Sequence, residues 1–469
     1  MDYAKVNDAT IDDLKRIVGP GRVLHGDDDR LETYSHDEAG SLYAVSPEAV
    51  VKAANTEDVS RVLALAFERR IPVTPRGAGS GLAGGAVPLY GGIVLSCELL
   101  NRILEIDTEN MVAVAEAGVI TNDLCRAVDD EGLFYAGYPM SVESSFVGGN
   151  VACNAGGARV VKYGPTGAHV LGLELVLPSG DVLVTGGKRR KDSSGYPLRS
   201  FFIGSEGTLA VFTKVVLNLL PKPGAVADLL VPFPSIEKAI AAIPRAMRAA
   251  RILPVAVEFI DRPSVRYCSA YTNTMLPYQD RAEAYLIVQF EGRTQEELQD
   301  TYEIGGDACL GAGALEVYVA DNRLVSEKIW TMRRNWLEAL KAIDPLVGTG
   351  DFVVPTACVP TMMRRLEAIS KQYDTEIACV GHAADGNLHP AVLRPDGMAL
   401  DDWKDRMEEI VSRIAVEAAS LGGAVSGEHG VGFIKKPILG ATKSAEIALM
   451  RRIKDALDPR GILNPGKLF

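Results

Sequence analysis

The segment PRGAGSGLAGGAVPLYGG, residues 75–92, decides how the amino-terminal half of this chain is interpreted. Residues 79–84, GSGLAG, match the GxGxxG pattern of dinucleotide-binding loops. A Rossmann loop opens directly into a helix, whereas these glycines continue to residue 92 and precede the strand-like run IVLSC. We therefore reject a Rossmann fold. Two interpretations stay open: a loop whose backbone N–H groups wrap a pyrophosphate, and a flexible loop without a ligand.

Composition limits the function classes. The chain has 469 residues, which predicts two or three domains, and 47% hydrophobic with 23% charged residues is typical of a globular protein. A net charge of −12 argues against binding to nucleic acid or to an anionic membrane surface. The one basic run, residues 188–191, is interpreted as a solvated loop. Because no secretory signal pattern and no apolar run of about 18 residues is present, we expect a cytoplasmic protein without a membrane span.

The seven cysteines are too widely spaced for a zinc ribbon, a ferredoxin-type cluster or a disulfide framework. We expect thiols, and any redox chemistry would then need an acceptor outside the chain.

Periodicity indicates alternating elements before residue 222 and a different mixture of helices and strands after residue 223. Residues 56–70 and 234–252 are amphipathic helices, and residues 170–187 read as a hairpin turned at residues 178–181. Further predictions are strands at residues 71–77, 91–100, 111–119, 284–292 and 314–321, a helix at 408–423 with Gly422 as its C-cap, and a helix from 445 stopped by Asp458-Pro459.

Several motifs together carry a family resemblance. The loop at 75–92, SVESSFVGGNVACNAGG (141–157) and IGSEGTLAV (203–211) resemble the FAD-binding type 4 fold of vanillyl-alcohol-oxidase-like flavoproteins. GHAADGNLHP (381–390), SGEHGVG (426–432) and LNPGK (463–467) resemble the D-2-hydroxyacid dehydrogenase branch. That branch includes FAD-linked D-lactate dehydrogenases and the glycolate oxidase FAD subunit. The resemblance covers roughly residues 35–469.

The resemblance implies an α+β fold. A two-subdomain FAD-binding type 4 domain (1–222) would precede an α+β substrate or cap domain (223–421) and a C-terminal helical segment (422–469) that returns to the flavin and metal site. FAD would be noncovalent, because Ser80 stands where covalent relatives often carry histidine. The cofactor-binding residues implied are Pro75, Arg76, Gly77, Ala78, Gly79, Ser80, Gly81, Ser141, Gly148, Gly149, Asn154, Gly157, Gly204, Glu206, Gly207 and Asn464.

Two of the six histidines, His382 and His389, lie in GHAADGNLHP, and Glu428 lies in SGEHGVG. Two imidazoles and a carboxylate suit Zn, Fe(II) or Mn with positions left for substrate. The alternative is that these histidines cap or pack. We predict one divalent metal held by these three residues.

The predicted reaction removes a hydroxyl proton and a hydride from the same carbon. A divalent metal makes the hydroxyl more acidic, His429 acts as general base, and the hydride goes to flavin N5. The resemblance assigns the substrate carboxylate to Arg333, with Arg334 as the competing register, and a substrate-side polar contact to Asn387.

The substrate expected first is D-lactate, and glycolate second. Relatives acting on 2-hydroxyglutarate carry threonine and lysine where this chain has Leu337 and Thr349, so a dicarboxylate would lose a cationic partner. D-2-hydroxyglutarate and an electron-transfer flavin subunit with a vestigial substrate site stay open as alternatives.

The partner implied by SHDEAG (residues 35–40) and the general run of the chain is an electron-transferring flavoprotein. An iron–sulfur subunit is the second possibility, and a homo-oligomer is left open.

Overall fold

The computed structural model describes residues 2–320 and 322–469. Met1, in the predicted first domain, and Asp321, the last residue of the predicted strand 314–321, lie outside the described residues. The helices are α1 (Asp8–Val18), α2 (Thr56–Arg69), α3 (Thr121–Asp130), α4 (Val147–Cys153), α5 (Val160–Tyr163), α6 (Thr166–His169), α7 (Leu198–Phe202), α8 (Ile236–Ala250), α9 (Arg262–Thr272), α10 (Gln295–Gly311), α11 (Arg323–Arg334), α12 (Trp336–Lys341), α13 (Val359–Tyr373), α14 (Leu400–Ser420), α15 (Lys436–Thr442) and α16 (Ser444–Leu457). The strands are β1 (Val23–His25), β2 (Ala49–Lys52), β3 (Val73–Arg76), β4 (Ile93–Ser96), β5 (Ile103–Asp107), β6 (Val112–Glu116), β7 (Leu133–Phe134), β8 (Val170–Val176), β9 (Val182–Gly186), β10 (Val211–Asn218), β11 (Leu220–Pro221), β12 (Ala225–Phe233), β13 (Ala256–Asp261), β14 (Ala284–Gly292), β15 (Tyr318–Ala320), β16 (Gly348–Thr349), β17 (Phe352–Val353), β18 (Ile377–His382) and β19 (Asn387–Val392).

These elements form two compact units. Unit 1 comprises Met1–Gly156, Gly164–Lys222 and Glu428–Phe469, and unit 2 comprises Gly157–Tyr163 and Pro223–Gly427. Each unit is therefore built from segments that are distant in sequence.

Unit 1 contains a four-stranded sheet of order β1-β2-β4-β3, in which β2, β4 and β3 are parallel. Helix α2 forms on the predicted residues because Asn55 accepts a hydrogen bond from the N–H of Asp58 and apolar residues recur at helical spacing. Its Leu63 is fully buried against the sheet, which stabilises the unit by about 1.5–3 kcal/mol.

A second sheet of unit 1 has the antiparallel order β5-β6-β10-β8-β9 and packs on α3 and α4. The end of the chain completes the first core: Ile462 and Leu463 are fully buried there, and Leu463 forms a parallel bridge with Val73.

Unit 2 is built on a sheet of order β15-β12-β14-β13-β18-β19-β16, with β17 also paired to β19. In β13, β18 and β19, Glu258 pairs with His382, which pairs with Asn387. Because directly paired residues lie on one face of an antiparallel sheet, these three side chains share a face, and His389 joins it two residues after Asn387.

Most sequence expectations for the elements are confirmed, including α2, α8, the β8–β9 hairpin and the end of α16 before Asp458-Pro459. The glycine loop leads into β4 without a helix, as expected. Helix α14 starts at Leu400, earlier than predicted, because Trp403 and Met407 extend its buried face, and Gly422 follows the C-cap Leu421 with φ 78°. Within the described part of the predicted strand 314–321, the residues that form a strand are Tyr318–Ala320.

Three composition-based expectations can also be compared with the structure. Residues 188–191 are exposed, and no disulfide joins the cysteines. Across residues 2–320 and 322–469, no helix combines the length and apolar character that a membrane crossing requires.

Candidate functional site

Segments predicted to bind the cofactor meet within unit 1. The Asn464 amide donates hydrogen bonds to the carbonyls of Gly85 (3.1 Å) and Glu206 (2.8 Å). A Cβ on Gly207 would lie 3.2 Å from the Pro75 ring. The structure therefore brings together the glycine loop, the IGSEGTLAV segment and the terminal LNPGK segment.

Helix α4 joins the same cluster. The N–H of Gly204 donates to the carbonyl of Val151, and the N–H of Glu206 donates to that of Ala152. Three non-glycine residues of these segments adopt left-handed backbone conformations: Asn154 (φ 49°), Glu206 (φ 51°) and Asn464 (φ 43°). Such conformations cost about 1–3 kcal/mol each and concentrate at functional sites.

The glycine loop has an open side and a packed side. A Cβ on Gly85 or Gly149 would meet no atom within 4 Å, so backbone at these positions borders open space. A Cβ on Gly79 (φ 78°) would instead lie 2.2 Å from the Arg76 guanidinium. Only glycine allows this approach, which leaves main-chain groups on the open side for a ligand.

Other predicted cofactor residues have structural partners. The buried Arg76 guanidinium donates to the carbonyls of His36 and Thr33, and a Cβ on Gly148 would lie 2.5 Å from that of Ala117. Gly77 packs beside Gly149, whereas Ala78, Ser80 and Gly81 lie in the partly exposed loop and Ser141 is exposed. Gly157 belongs to unit 2.

The loop that carries His429 is fixed within unit 1. The Glu206 carboxylate accepts hydrogen bonds from the N–H groups of Val431 (2.8 Å) and Gly432 (2.7 Å), and the N–H of Phe433 donates to the carbonyl of Ala83 (3.2 Å). Desolvation raises the pKa of Glu206 against the opposing effect of these two N–H groups. Glu206, predicted to contact the cofactor, thus holds the SGEHGVG loop.

The two predicted metal histidines meet in unit 2. His382 ends β18 and His389 lies in β19, both on the face that carries Glu258. Their ring centroids are 5.3 Å apart, and their exposed fractions are 3% and 6%.

A fully buried carboxylate stands behind His382. Oε1 of Glu258 lies 2.5 Å from Nδ1 of His382, and its Oε2 lies 2.8 Å from the Arg333 guanidinium. Burial raises the pKa of Glu258, but His382 and Arg333 outweigh it, so the net pKa is lowered and the group is ionised. An ionised carboxylate only accepts hydrogen bonds, so Nδ1 of His382 is the donor in this contact, and in the neutral imidazole the lone pair is then on the other ring nitrogen.

A second buried carboxylate stands near His389. Oδ1 of Asp351 is 4.0 Å from Nδ1 of His389 and accepts from the Asn387 amide at 2.9 Å. Asp351 also accepts from the Ser426 hydroxyl and from the N–H of Gly427. The Asn387 amide therefore fixes Asp351, while its predicted contact with substrate stays a prediction.

The arginine register is clear from burial. Arg333 is 6% exposed, and its Nε has no hydrogen-bond partner within the described residues. Arg334 is exposed and pairs with Glu327. Arg333 is therefore the arginine that can act in a buried site.

Glu428 and His429 belong to unit 1, where the His429 ring lies 3.5 Å from the Glu428 carboxylate. Glu428 directly follows Gly427, the last residue of unit 2.

Sequence reasoning missed Glu258 and Asp351. Both are fully buried acids. Glu258 interrupts the apolar strand AVEFID, and an acid inside a buried strand is a signal that could have identified it.

Residues 222–468, more than half of the chain, match the C-terminal domain of FAD linked oxidases. The chain belongs to the FAD-linked oxidases. Residues 47–186 of this FAD-linked oxidase match an FAD binding domain, which supports the predicted cofactor.

Relatives of this FAD-linked oxidase match over nearly their full length. It is 39% identical to glycolate oxidase subunit GlcD of Bacillus subtilis (strain 168), over 97% of this chain and 96% of the relative. It is 37% identical to a D-lactate dehydrogenase of Anaerostipes hadrus, over 99% and 98%. The structure of p-cresol methylhydroxylase with substrate bound superimposes with a TM-score of 0.80 at 18% identity, covering 98% and 96% of the chains. The predicted FAD-binding type 4 fold is confirmed.

The residues of this FAD-linked oxidase fit both predicted groups. The open space beside the backbone of Gly85 and Gly149 leaves room for a phosphate-bearing cofactor to approach the main chain. The His382 imidazole is hydrogen-bonded to a carboxylate, the arrangement that orients metal-binding histidines, and a second carboxylate lies 4.0 Å from the ring of His389.

Proposed function

We propose that this protein oxidises a small D-2-hydroxy acid, D-lactate in the first place, to the 2-oxo acid with FAD as the immediate electron acceptor. FAD-linked oxidation of 2-hydroxy acids is supported by the family and by the names of the two relatives. The observation that carries the proposal is one sheet face on which His382, His389 and the Glu258–Arg333 pair converge.

FAD would be held noncovalently by the glycine loop, the 204–207 segment and Asn464. When bound, it supplies the acceptor for two electrons. Acid or heat precipitation should release yellow flavin into the supernatant. Flavin that stays with the precipitated chain would contradict noncovalent binding.

A divalent metal (Fe, Zn or Mn) would be held by His382, His389 and Glu428. Bound there, it supplies a Lewis acid that makes a substrate hydroxyl more acidic. Gly427, which directly precedes Glu428, donates its N–H to Asp351 at 3.1 Å, and this contact supports Glu428 as the third ligand. Elemental analysis of active protein should give about one divalent metal per chain, and active protein without metal would refute this part.

Three residues would contact the substrate. His429 would take the hydroxyl proton, and its loop is fixed by Glu206. Arg333 would bind the carboxylate through the planar fork that matches carboxylate geometry. Asn387 would contact the substrate beside the histidines.

Preference for lactate rests on two positions. Leu337 lies in α12, and Thr349 pairs with Ala391 on the sheet face that carries His389. Neither offers a positive charge to a second carboxylate. We expect a higher kcat/KM for D-lactate than for D-2-hydroxyglutarate, and the reverse order would refute the assignment.

Glycolate is the second candidate, because the Bacillus relative carries that name. Anaerobic titration with D-lactate, glycolate, malate and D-2-hydroxyglutarate, followed by flavin bleaching, orders these substrates. A flavin that none of them bleaches would favour a vestigial substrate site.

We propose an electron-transferring flavoprotein as the acceptor. In a reconstitution, lactate-reduced protein is mixed anaerobically with that flavoprotein, and reoxidation of the dehydrogenase flavin is followed. If the flavin stays reduced after mixing with the electron-transferring flavoprotein, but is oxidised quickly by an iron–sulfur subunit or a quinone in a parallel experiment, the partnership is refuted.

A further inference from the structure

One face of the unit 2 sheet carries a row of buried polar side chains. Paired strands place Asp228 beside Gln289, and Glu258 beside His382 and Asn387, on this face. Asp228 and Glu258 are both fully buried. A buried carboxylate is destabilising unless its oxygens have partners, so the groups around each of these two acids show what the acid holds in place.

Helix α11 is attached to this face at both ends by those two acids. The Ser326 hydroxyl, near the start of the helix, donates to Asp228, which also accepts from the Gln289 amide at 2.9 Å. Arg333, near its end, forms the 2.8 Å ion pair with Glu258. The same helix thus has one anchor that reaches the histidines and one that does not.

The anchor at Glu258 uses its two oxygens for two different groups. Oε1 holds Nδ1 of His382, and Oε2 holds the guanidinium of Arg333. Oε1 is hydrogen-bonded to the imidazole and Oε2 forms the ion pair with the guanidinium, so the orientation of the ring and the position of the arginine both depend on one buried carboxylate.

We infer that Glu258 is a positioning residue shared by the metal site and the substrate carboxylate site. It fixes the orientation of the His382 imidazole through Nδ1 and holds the Arg333 guanidinium beside the same carboxylate. This inference rests on the proposed function, because His382 is a proposed metal ligand and Arg333 a proposed substrate ligand.

Glu258→Gln separates this role from simple packing. Glutamine has the same size but one acceptor oxygen and one N–H₂ donor, so it can satisfy His382 or Arg333 but not both. Glu258→Asp keeps both acceptors on a shorter side chain. Asp228→Asn is the matched control, because it changes the other buried anchor of α11 and none of the contacts of His382 or Arg333.

The test is a Zn²⁺ titration of metal-stripped, FAD-loaded full-length protein by calorimetry, together with the visible spectrum of the Co²⁺-loaded forms. We expect Glu258→Gln to weaken Zn²⁺ binding by about 10–100-fold and to shift the Co²⁺ bands, with a smaller effect for Glu258→Asp. Asp228→Asn should stay within about threefold of the parent and leave the Co²⁺ spectrum unchanged.

A second readout concerns the arginine. Glu258→Gln should raise KM for D-lactate in Zn²⁺-saturated protein, and Asp228→Asn should not.

Unchanged Zn²⁺ affinity in Glu258→Gln, or an equal loss in Asp228→Asn, would overturn the inference while leaving the proposed function intact. A parent protein that binds no Zn²⁺, with His382→Ala behaving identically, would overturn the metal proposal and this inference together. If Glu258→Gln does not fold, Glu258→Asp is the deciding variant, because its shorter side chain changes the distances to His382 and Arg333. Zn²⁺ binding and Co²⁺ bands identical to those of the parent would then overturn the inference.

Discussion

Replacing Gly432 with alanine tests whether the His429 loop must lie directly on the glycine loop. Gly432 has φ 52°, and an added Cβ would lie 1.8 Å from the carbonyl oxygen of Ala83. Ordinary contact begins at 3.4 Å, so the two loops must separate by about 1.6 Å. The hydrogen bond from the Phe433 N–H to that oxygen, 3.2 Å long, would be lost.

Two effects can be separated in magnitude. Left-handed backbone costs alanine about 1–2 kcal/mol, and the lost hydrogen bond about 1 kcal/mol more. A displacement of about 1 Å near the reacting groups can lower the rate about a hundredfold. We therefore expect Gly432→Ala to fold, with a moderately lower melting temperature, and to reduce its flavin at least about a hundredfold more slowly.

Gly422→Ala is the matched control. Gly422 has a comparable φ of 78°, but an added Cβ would meet no atom within 4 Å. It should show the backbone cost in its melting temperature and a parent-like rate of flavin bleaching by D-lactate in anaerobic stopped flow. If Gly432→Ala bleaches within threefold of the parent, close docking of the two loops is not needed for the reaction.

Three further predictions follow from single residues. His429→Ala should keep flavin and metal but slow flavin reduction by at least about a hundredfold, and reduction at the parent rate would refute its assignment as general base. His389→Ala should instead lose metal and recover part of its activity at high added metal. Arg333→Lys keeps the charge but not the fork, so we expect KM for D-lactate to rise about tenfold, and an unchanged KM would argue against carboxylate binding. Burial lowers the pKa of Lys467 to about 7, although the nearby carboxylates of Asp37 and Glu206 oppose this shift. Between about pH 7 and 10.5 the unfolded chain therefore binds more protons at this residue than the folded chain does, so the free energy of unfolding rises with pH over that interval. The melting temperature of the parent minus that of Lys467→Met should increase from pH 7 to 9.5. Parallel plots of melting temperature against pH for the two proteins would contradict this prediction.

Local signals predicted the regular elements well. The helical spacing of Val59, Val62, Leu63 and Ala66 and the turn of the β8–β9 hairpin are written in neighbouring residues, and both appear in the structure. Helix α4 is different: it lies in a glycine-rich stretch that has little helical propensity, and its buried Val147 and Val151 pack in the second core of unit 1. Tertiary packing, which the local sequence does not show, stabilises it.

The candidate site was predictable where motifs are contiguous and not where partners come from afar. His382 and His389 lie in one motif, and the hairpin of β18 and β19 brings them to one face. Glu258 comes from a strand more than a hundred residues earlier, and its role depends on sheet order. Glu206 was assigned to the cofactor because its motif suggested it, whereas its carboxylate accepts from Val431 and Gly432.

The burial of Ile462 and Leu463 in the first core of unit 1 has a consequence for biosynthesis. Those side chains pack with Val73 and the other residues of the first sheet, so a nascent chain cannot complete that core until residues 462 and 463 have left the ribosome. The strands of unit 2 all lie between residues 225 and 392, so its sheet can form once that stretch has emerged. The sheet of unit 2 can therefore form before the first core of unit 1 is complete, although unit 1 begins earlier in the sequence.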